Sequence, residues 1–188
     1  MPRFTRAELD AFRGAEVPDL VGPGVRLLFV GINPGLWTAA TQTHFAHPAN
    51  RFYPALLRAG VITRAISPSA GMTDEDREHL RSRGIGITNL VRRATARASE
   101  LTDAELREGG VRLESLVAQV RPRVVAVAGI TAYRSAFAAR GAAPGRQPAD
   151  LDGAELWVVP NPSGLNAHET IATLAEAYGE VARAAGIS

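Results

Sequence analysis

Two short stretches combine asparagine, proline and glycine in a way that can serve chemistry: Gly31-Ile32-Asn33-Pro34-Gly35-Leu36 and Pro160-Asn161-Pro162-Ser163-Gly164-Leu165. A loop of this composition can turn backbone N–H groups outward in a fixed curve that binds anions or oxygen atoms without formal charge, while proline removes flexibility. Asn33 and Asn161 add neutral amides, which donate and accept hydrogen bonds but cannot act as strong bases. Read alone, each stretch is also what a plain Asn-Pro or Pro-Ser-Gly turn looks like. A third stretch, Phe45-Ala46-His47-Pro48-Ala49-Asn50-Arg51-Phe52-Tyr53, surrounds a His, an Asn and an Arg with aromatic rings, the equipment of a base-stacking pocket. Phe45 is the candidate for stacking. Phe52 reads better as a core residue at a helix start, with Arg51 then solvated. His44 and His47 are close enough to suggest a metal pair, but no third ligand stands at motif spacing, so no metal is expected. His44, His79 and His168 read as surface residues.

Loops of this kind need a scaffold to present them. Leu27-Leu28-Phe29-Val30, Val124-Val125-Ala126-Val127 and Leu156-Trp157-Val158-Val159 are unbroken apolar runs bounded by turn signals, the form of strands covered on both faces. Gly84 to Leu90 is a weaker fourth strand. Leu113, Leu116, Val117 and Val120, and later Ile171, Leu174, Ala175 and Tyr178, follow helical spacing. Thr5-x-x-Glu8 is a capping box for a short first helix that Gly14 and Pro18 end, and Thr73 with Asp76 can cap another before Arg77, His79, Leu80 and Arg83. The helix near Asn50 to Gly60 has an open start, because Pro54 fits only in a first turn. The pattern is α/β with four strands in a mostly parallel sheet. In such a sheet, ligands gather beyond the carboxyl ends of the strands, where the first two loops lie.

Composition narrows the chemistry. The 188 residues suit one domain, 1–188, without repeats or low-complexity tracts, and about 70% of the unfolded chain's surface should be buried. There is no cysteine, which removes disulfides, thiolate metal sites and thiol nucleophiles. All 21 cationic side chains are arginine, so a formal charge of only +2 coexists with a pI near 9.6. That balance permits nucleic-acid binding without demonstrating it. With no lysine, imine chemistry on an aldehyde would depend on the N-terminal amine. No apolar run approaches a membrane span, and Met1 to Leu20 is interrupted by Arg3, Arg6, Glu8, Asp10 and Arg13, so the expected compartment is the cytoplasm.

Taken in order, G-I-N-P-G at Gly31 to Gly35, F-A-H-P-A-N-R-F at Phe45 to Phe52, G-I-T-N-L-V at Gly86 to Val91 and N-P-S-G-L at Asn161 to Leu165 resemble the mismatch-specific uracil-DNA glycosylase and thymine-DNA glycosylase family, a branch of the uracil-DNA glycosylase superfamily. The similarity runs from about Val17 to the final helix and includes Leu106 to Gly110. The resemblance implies a three-layer αβα sandwich around a four-stranded, mostly parallel sheet. It also implies a monofunctional enzyme of base excision repair, without cofactor or metal and expected to be a monomer. Such an enzyme flips uracil, also ethenocytosine and weakly thymine, from mismatches with guanine in double-stranded DNA and hydrolyses it away, leaving an abasic site.

Carried over residue by residue, the resemblance makes Asn33 the catalytic residue that orients the attacking water. Ile32, Gly35, Thr38, Phe45 and Asn161 form the base pocket. Ser163, Gly164, Leu165 and Asn166 form the DNA contact, with Leu165 the wedge that fills the vacated stack. Gly35 stands where fast uracil enzymes resemble this motif but carry a tyrosine, so the wall beside pyrimidine C5 is expected to be open. Several positions depart from the pattern. Asn166-Ala167 replaces Ser-Arg, Trp37 replaces a small residue near the pocket mouth, and Arg92-Arg93 either bind phosphate or form a solvated surface pair. Two other functions fit the same loops: a lesion-binding protein without turnover, and a hydrolase of free nucleosides, which needs no wedge.

Overall fold

The computed structural model describes residues 4–188; Arg3 lies outside the described residues. The chain forms α1 (Arg6–Asp10), β1 (Leu27–Gly31), α2 (Leu36–Thr41), α3 (Phe52–Arg58), α4 (Asp74–Ser82), β2 (Ile85–Asn89), α5 (Asp103–Val120), β3 (Val124–Ala128), α6 (Ile130–Ala136), β4 (Gly145–Arg146), β5 (Glu155–Val159) and α7 (Ile171–Ala184). The sheet order is β2-β1-β3-β5-β4, with the first four strands parallel.

Alternation along the strands explains why the apolar runs are continuous. Leu27, Phe29, Ile87, Ala126 and Trp157 face α3, α4 and α7, whose Phe52, Tyr53, Leu56, Leu80, Leu174 and Tyr178 complete one core. Leu28, Val30, Val125, Val127, Leu156 and Val158 face α5 and α6 in a second core with Leu113, Val117 and Tyr133. Both faces are covered, so every second residue must be apolar in either direction. The result is the expected three-layer αβα sandwich.

Local capping matches the sequence signals. Thr5 Oγ1 accepts from Glu8 N while the Glu8 carboxylate accepts from Thr5 N, and Thr73 and Asp76 make the same reciprocal pair at the start of α4. α3 begins at Phe52, so Pro54 lies in the first turn and removes no helical hydrogen bond. The expectation of four strands falls one short. The fifth, β4, is a two-residue antiparallel edge strand pairing Gly145 with Val158 and Arg146 with Trp157. Two residues in a Gly/Pro-rich segment carry no period to read, and Arg146, bonded to Asp150 and Glu155, charges the edge. Among the described residues, no helix is long and apolar enough to cross a membrane.

From β1 the chain first moves to β2 on one side, then crosses back to β3 on the other. The strand order therefore reverses at β1 and β3, and a crevice opens beyond their carboxyl ends.

Candidate active site

The walls of that crevice are the loops singled out by composition. Segment 90–95 runs beside the loop after β1: Leu90 N donates to Gly31 O at 2.9 Å, Val91 N to Ile32 O at 2.9 Å and Thr95 N to Pro34 O at 3.2 Å. At the end of β3, a Cβ on Gly129 would lie 3.4 Å from Ile32 Cδ1 and 3.8 Å from Asn161 Nδ2, so the loops after β1, β3 and β5 meet there.

Asn33 is held by one end of its amide. Nδ2 donates to Thr95 Oγ1 at 2.8 Å, Arg93 O at 3.0 Å and Pro34 O at 3.2 Å. The Thr95 hydroxyl gives its own proton to Arg97 O at 2.8 Å, so it can only accept from Asn33, which fixes the amide's sense. Oδ1 is left facing away from all three acceptors. The Arg93 side chain is itself anchored by two bonds to Glu105, at 2.5 and 3.1 Å, and these hold the Glu105 carboxyl down to about 2.

Phe45 stands opposite in a left-handed backbone conformation, φ +55°. Its ring stacks on the buried Phe52 with centroids 4.2 Å apart. The turn is tied down by Thr38 Oγ1, which accepts from Ala46 N at 3.4 Å, and by Tyr53, whose hydroxyl donates to His44 O at 2.9 Å. Gly31 has to be glycine: a Cβ there would come within 2.4 Å of Asn89 Oδ1 and 3.3 Å of Phe45 Cζ. Asn89, paired with Gly31 across the sheet, thus brings its amide oxygen close against Gly31.

The loop after β5 is rigid by construction. Asn161 Oδ1 accepts from Ser163 N at 3.0 Å, Asn166 Nδ2 donates to Asn161 O at 3.1 Å, and Leu165 N donates to Ser163 Oγ at 3.2 Å. Arg51 reaches across from the aromatic segment and donates to Ser163 O at 2.6 Å, Asn166 O at 2.7 Å and Glu169 O, while its backbone N donates to Pro162 O at 3.0 Å. Gly164 packs so close that a Cβ would lie 2.7 Å from Ala49 O. At the tip, Leu165 is 89% exposed.

The family model for the uracil DNA glycosylase superfamily matches residues 18–182. The chain belongs to the uracil DNA glycosylase superfamily. It is also similar to the solution NMR structure of a candidate uracil DNA glycosylase from Methanosarcina acetivorans, with a TM-score of 0.65 at 19% identity over 92% of this chain and 98% of that one. At that identity the likeness is one of fold. Membership carries DNA-glycosylase activity on uracil, hydrolysis of an N-glycosyl bond, and with it a role in DNA repair.

Against this superfamily background, several sequence expectations change. His44 is not a surface residue: it is 5% exposed, with Nε2 2.8 Å from Pro18 O and Nδ1 3.2 Å from Asn89 Nδ2, and burial pushes its pKa down. His47 is exposed, and its Nδ1 accepts from Ala49 N. Arg51 is not solvated but clamps the loop after β5. Arg92 and Arg93 each have an acidic partner at the surface: Arg92 meets Glu16 at 3.2 Å and Arg93 meets Glu105. Trp37 donates Nε1–H to Ser69 O at 2.9 Å and lies edge-on to Phe4 and His47. Gly35 has φ −75° and ψ 165°, ordinary extended backbone, with nothing within 4 Å of a would-be Cβ. Its lack of a side chain therefore serves space and not conformation.

The sequence reading passed over Asn89 and Thr95. Asn89 ends a strand inside a quoted motif, and a polar residue closing a buried strand is a usable signal; Thr95 offers none.

Arg51→Met keeps the stem and removes the donors, leaving three carbonyls to find water. Urea unfolding should register a loss of about 2 kcal/mol, and amide exchange across 163–169 should accelerate. Unchanged exchange there would mean that the loop holds its own shape.

Proposed function

We propose that this chain is a monofunctional, mismatch-specific glycosylase acting as a monomer on double-stranded DNA, removing uracil, also ethenocytosine and weakly thymine, opposite guanine. The observation that carries the reading is the Asn33 amide, locked through Nδ2 with Oδ1 unengaged among the described residues. An acceptor so fixed can hold a water for attack on the anomeric carbon, although it cannot deprotonate that water.

Little deprotonation is needed. As the glycosidic bond stretches, the sugar becomes oxocarbenium-like and negative charge collects on the departing base. Asn161 is anchored in the opposite sense from Asn33: Oδ1 is engaged and Nδ2 donates to no protein group among the described residues. One amide thus offers an acceptor for water, and the other a donor for the leaving base. Backbone N–H groups around Ile32, Gly35 and Phe45 supply further neutral stabilisation. With the Phe45 ring as a stacking platform, the pocket can take a base turned out of the helix.

Two features support the mismatch reading. Open space at Gly35 leaves room for a substituent at pyrimidine C5. Leu165 projects from a clamped loop as a wedge would, flanked by Ser163, Gly164 and Asn166, and unstacking is least costly where the pair is already mismatched.

Single-turnover cleavage of G·U, A·U, G·T and G·ethenocytosine duplexes, in EDTA with alkali to break abasic sites, tests the proposal. Release from G·U that needs alkali to cut the strand is expected; mismatch-selective binding without release would instead favour a lesion-binding protein. Asn33→Ala should lower single-turnover rates by at least a hundredfold with duplex affinity kept, in line with the loss of a preorganised group. Asn33→Asp should also be slow, because one carboxylate oxygen would face the Arg93 and Pro34 carbonyls and the Thr95 lone pairs. Full activity in either variant removes Asn33 from the role. Leu165→Ala should slow release most from A·U, where the pair is intact, and an equal effect on every duplex would sink the wedge. For Gly35→Tyr, loss of thymine and ethenocytosine release with uracil release retained is expected; retained thymine release would put the C5 wall elsewhere.

A further inference from the structure

α5 and α6 pack so closely that a Cβ on Gly110 would lie 2.7 Å from Ala136 O. Beside that contact, the first turns of α5, the end of α6 and the loop after it wall a cavity of about 250 Å³, lined by Asp103, Arg107, Arg134, Ser135, Ala138 and Arg140. Elsewhere on the surface Arg13, Arg92, Arg93 and Arg146 each meet a carboxylate. Among the described residues, Arg107, Arg134 and Arg140 have no carboxylate at ion-pairing distance, and Asp103 stands in the same wall without closing on any of them.

The cluster is held in place by its own loop. The chain leaves α6 through Ala138 in a left-handed conformation, φ +52°, which a residue with a Cβ adopts only where its surroundings impose it. Arg134 Nε and Nη2 both donate to Ala142 O, at 3.0 and 2.6 Å, and Ala139 N donates to Arg134 O at 3.0 Å. These bonds tie the loop carrying Arg140 back onto α6, and they leave Arg134 Nη1 without a protein partner among the described residues.

We propose that this cavity is a second binding site of the protein, separate from the crevice that takes the base, and that its ligand is a phosphate group. Three guanidinium groups and the Ser135 hydroxyl offer donors to one small space, which suits the oxygens of a tetrahedral anion. No aromatic ring lines it to stack a base. Asp103 and Arg107 lie one turn apart on one face of α5, whereas Glu105 lies on the opposite face and binds Arg93, whose carbonyl accepts from Asn33. The cavity therefore stands about one helix width, roughly 10 Å, from the wall of the crevice. That is about three base-pair steps along a strand, so a backbone phosphate flanking a base in the crevice can reach it. A small phosphate ester presents the same group.

Arginine Nε–Hε signals in ¹⁵N spectra report occupancy without turnover. Inorganic phosphate should shift the Arg107 and Arg134 signals saturably, and chloride at the same ionic strength should not. Joint Arg107→Gln and Arg140→Gln replacement removes two exposed cations and no packed group, and should abolish the response at Arg134. Asp103→Asn takes the carboxylate out of the wall and should tighten phosphate binding about fivefold, a gain that damaged folding cannot produce. Duplex binding then separates the two sources. For a backbone phosphate, the double variant should bind a long G·U duplex about tenfold more weakly and lose about one from the slope of log affinity against log salt. For a small ester, that variant loses the phosphate response and keeps wild-type duplex affinity and slope. Equal responses to phosphate and chloride, together with unaltered duplex binding, overturn the proposal and leave the three arginines as solvated charges. None of these readouts depends on uracil release, so the site stands or falls apart from the glycosylase reading.

Discussion

Arg51 is the interaction through which separate loops become one surface. The carboxyl ends of β1 and β5 are not neighbours, since β3 lies between them. Nothing in the sheet ladder therefore obliges the aromatic segment after α2 and the loop after β5 to meet. The guanidinium spans them, and because its donors lie in a rigid planar fork it can satisfy several carbonyls with little further loss of freedom. An ammonium on a flexible stem would not reproduce that geometry, which suits a chain whose cations are all arginine.

Around this clamp, the polar chemistry is carried by neutral groups whose orientation is dictated from behind. Asn33 takes its sense from Thr95 and Arg93, and Asn161 from Ser163. Free amides are ambiguous, because the oxygen and nitrogen ends have nearly the same shape. Each one here is made unambiguous by a partner that can only donate or only accept. A pocket built this way needs no charged group to be desolvated, and its dipoles are already aligned when charge develops on a substrate.

Much of the scaffold was legible because two-sided burial writes itself into composition. Leu27 to Val30 and Val124 to Val127 leave no polar position, and only a covered parallel strand explains that in so few residues. Capping boxes at Thr5 and Thr73 were visible for a similar reason: reciprocal bonds over three residues are local. β4 was not visible, since two residues have no period. His44, Arg51 and Asn89 were harder still. Their partners lie between 26 and 118 residues away, and no local spacing distinguishes a buried, engaged histidine or arginine from a solvated one. The loops were recognised as unusual; which end of each amide points inward was a property of tertiary contacts alone.

The rigidity of the loop carrying Leu165 shifts the place where selectivity can arise. Ordering a mobile loop costs roughly 1–2 kcal/mol per residue in conformational entropy, and a flexible tip would incur that cost anew at each encounter. Here the cost is met during folding, by Ser163, Asn166 and Arg51, and it is the same whatever lies in front of the tip. The protein then acts as a fixed gauge. Under the wedge role proposed for Leu165, differences in the cost of opening one stretch of duplex and the next come from the stiffness and stacking of the DNA itself, so the molecule being inspected supplies part of the signal by which it is judged.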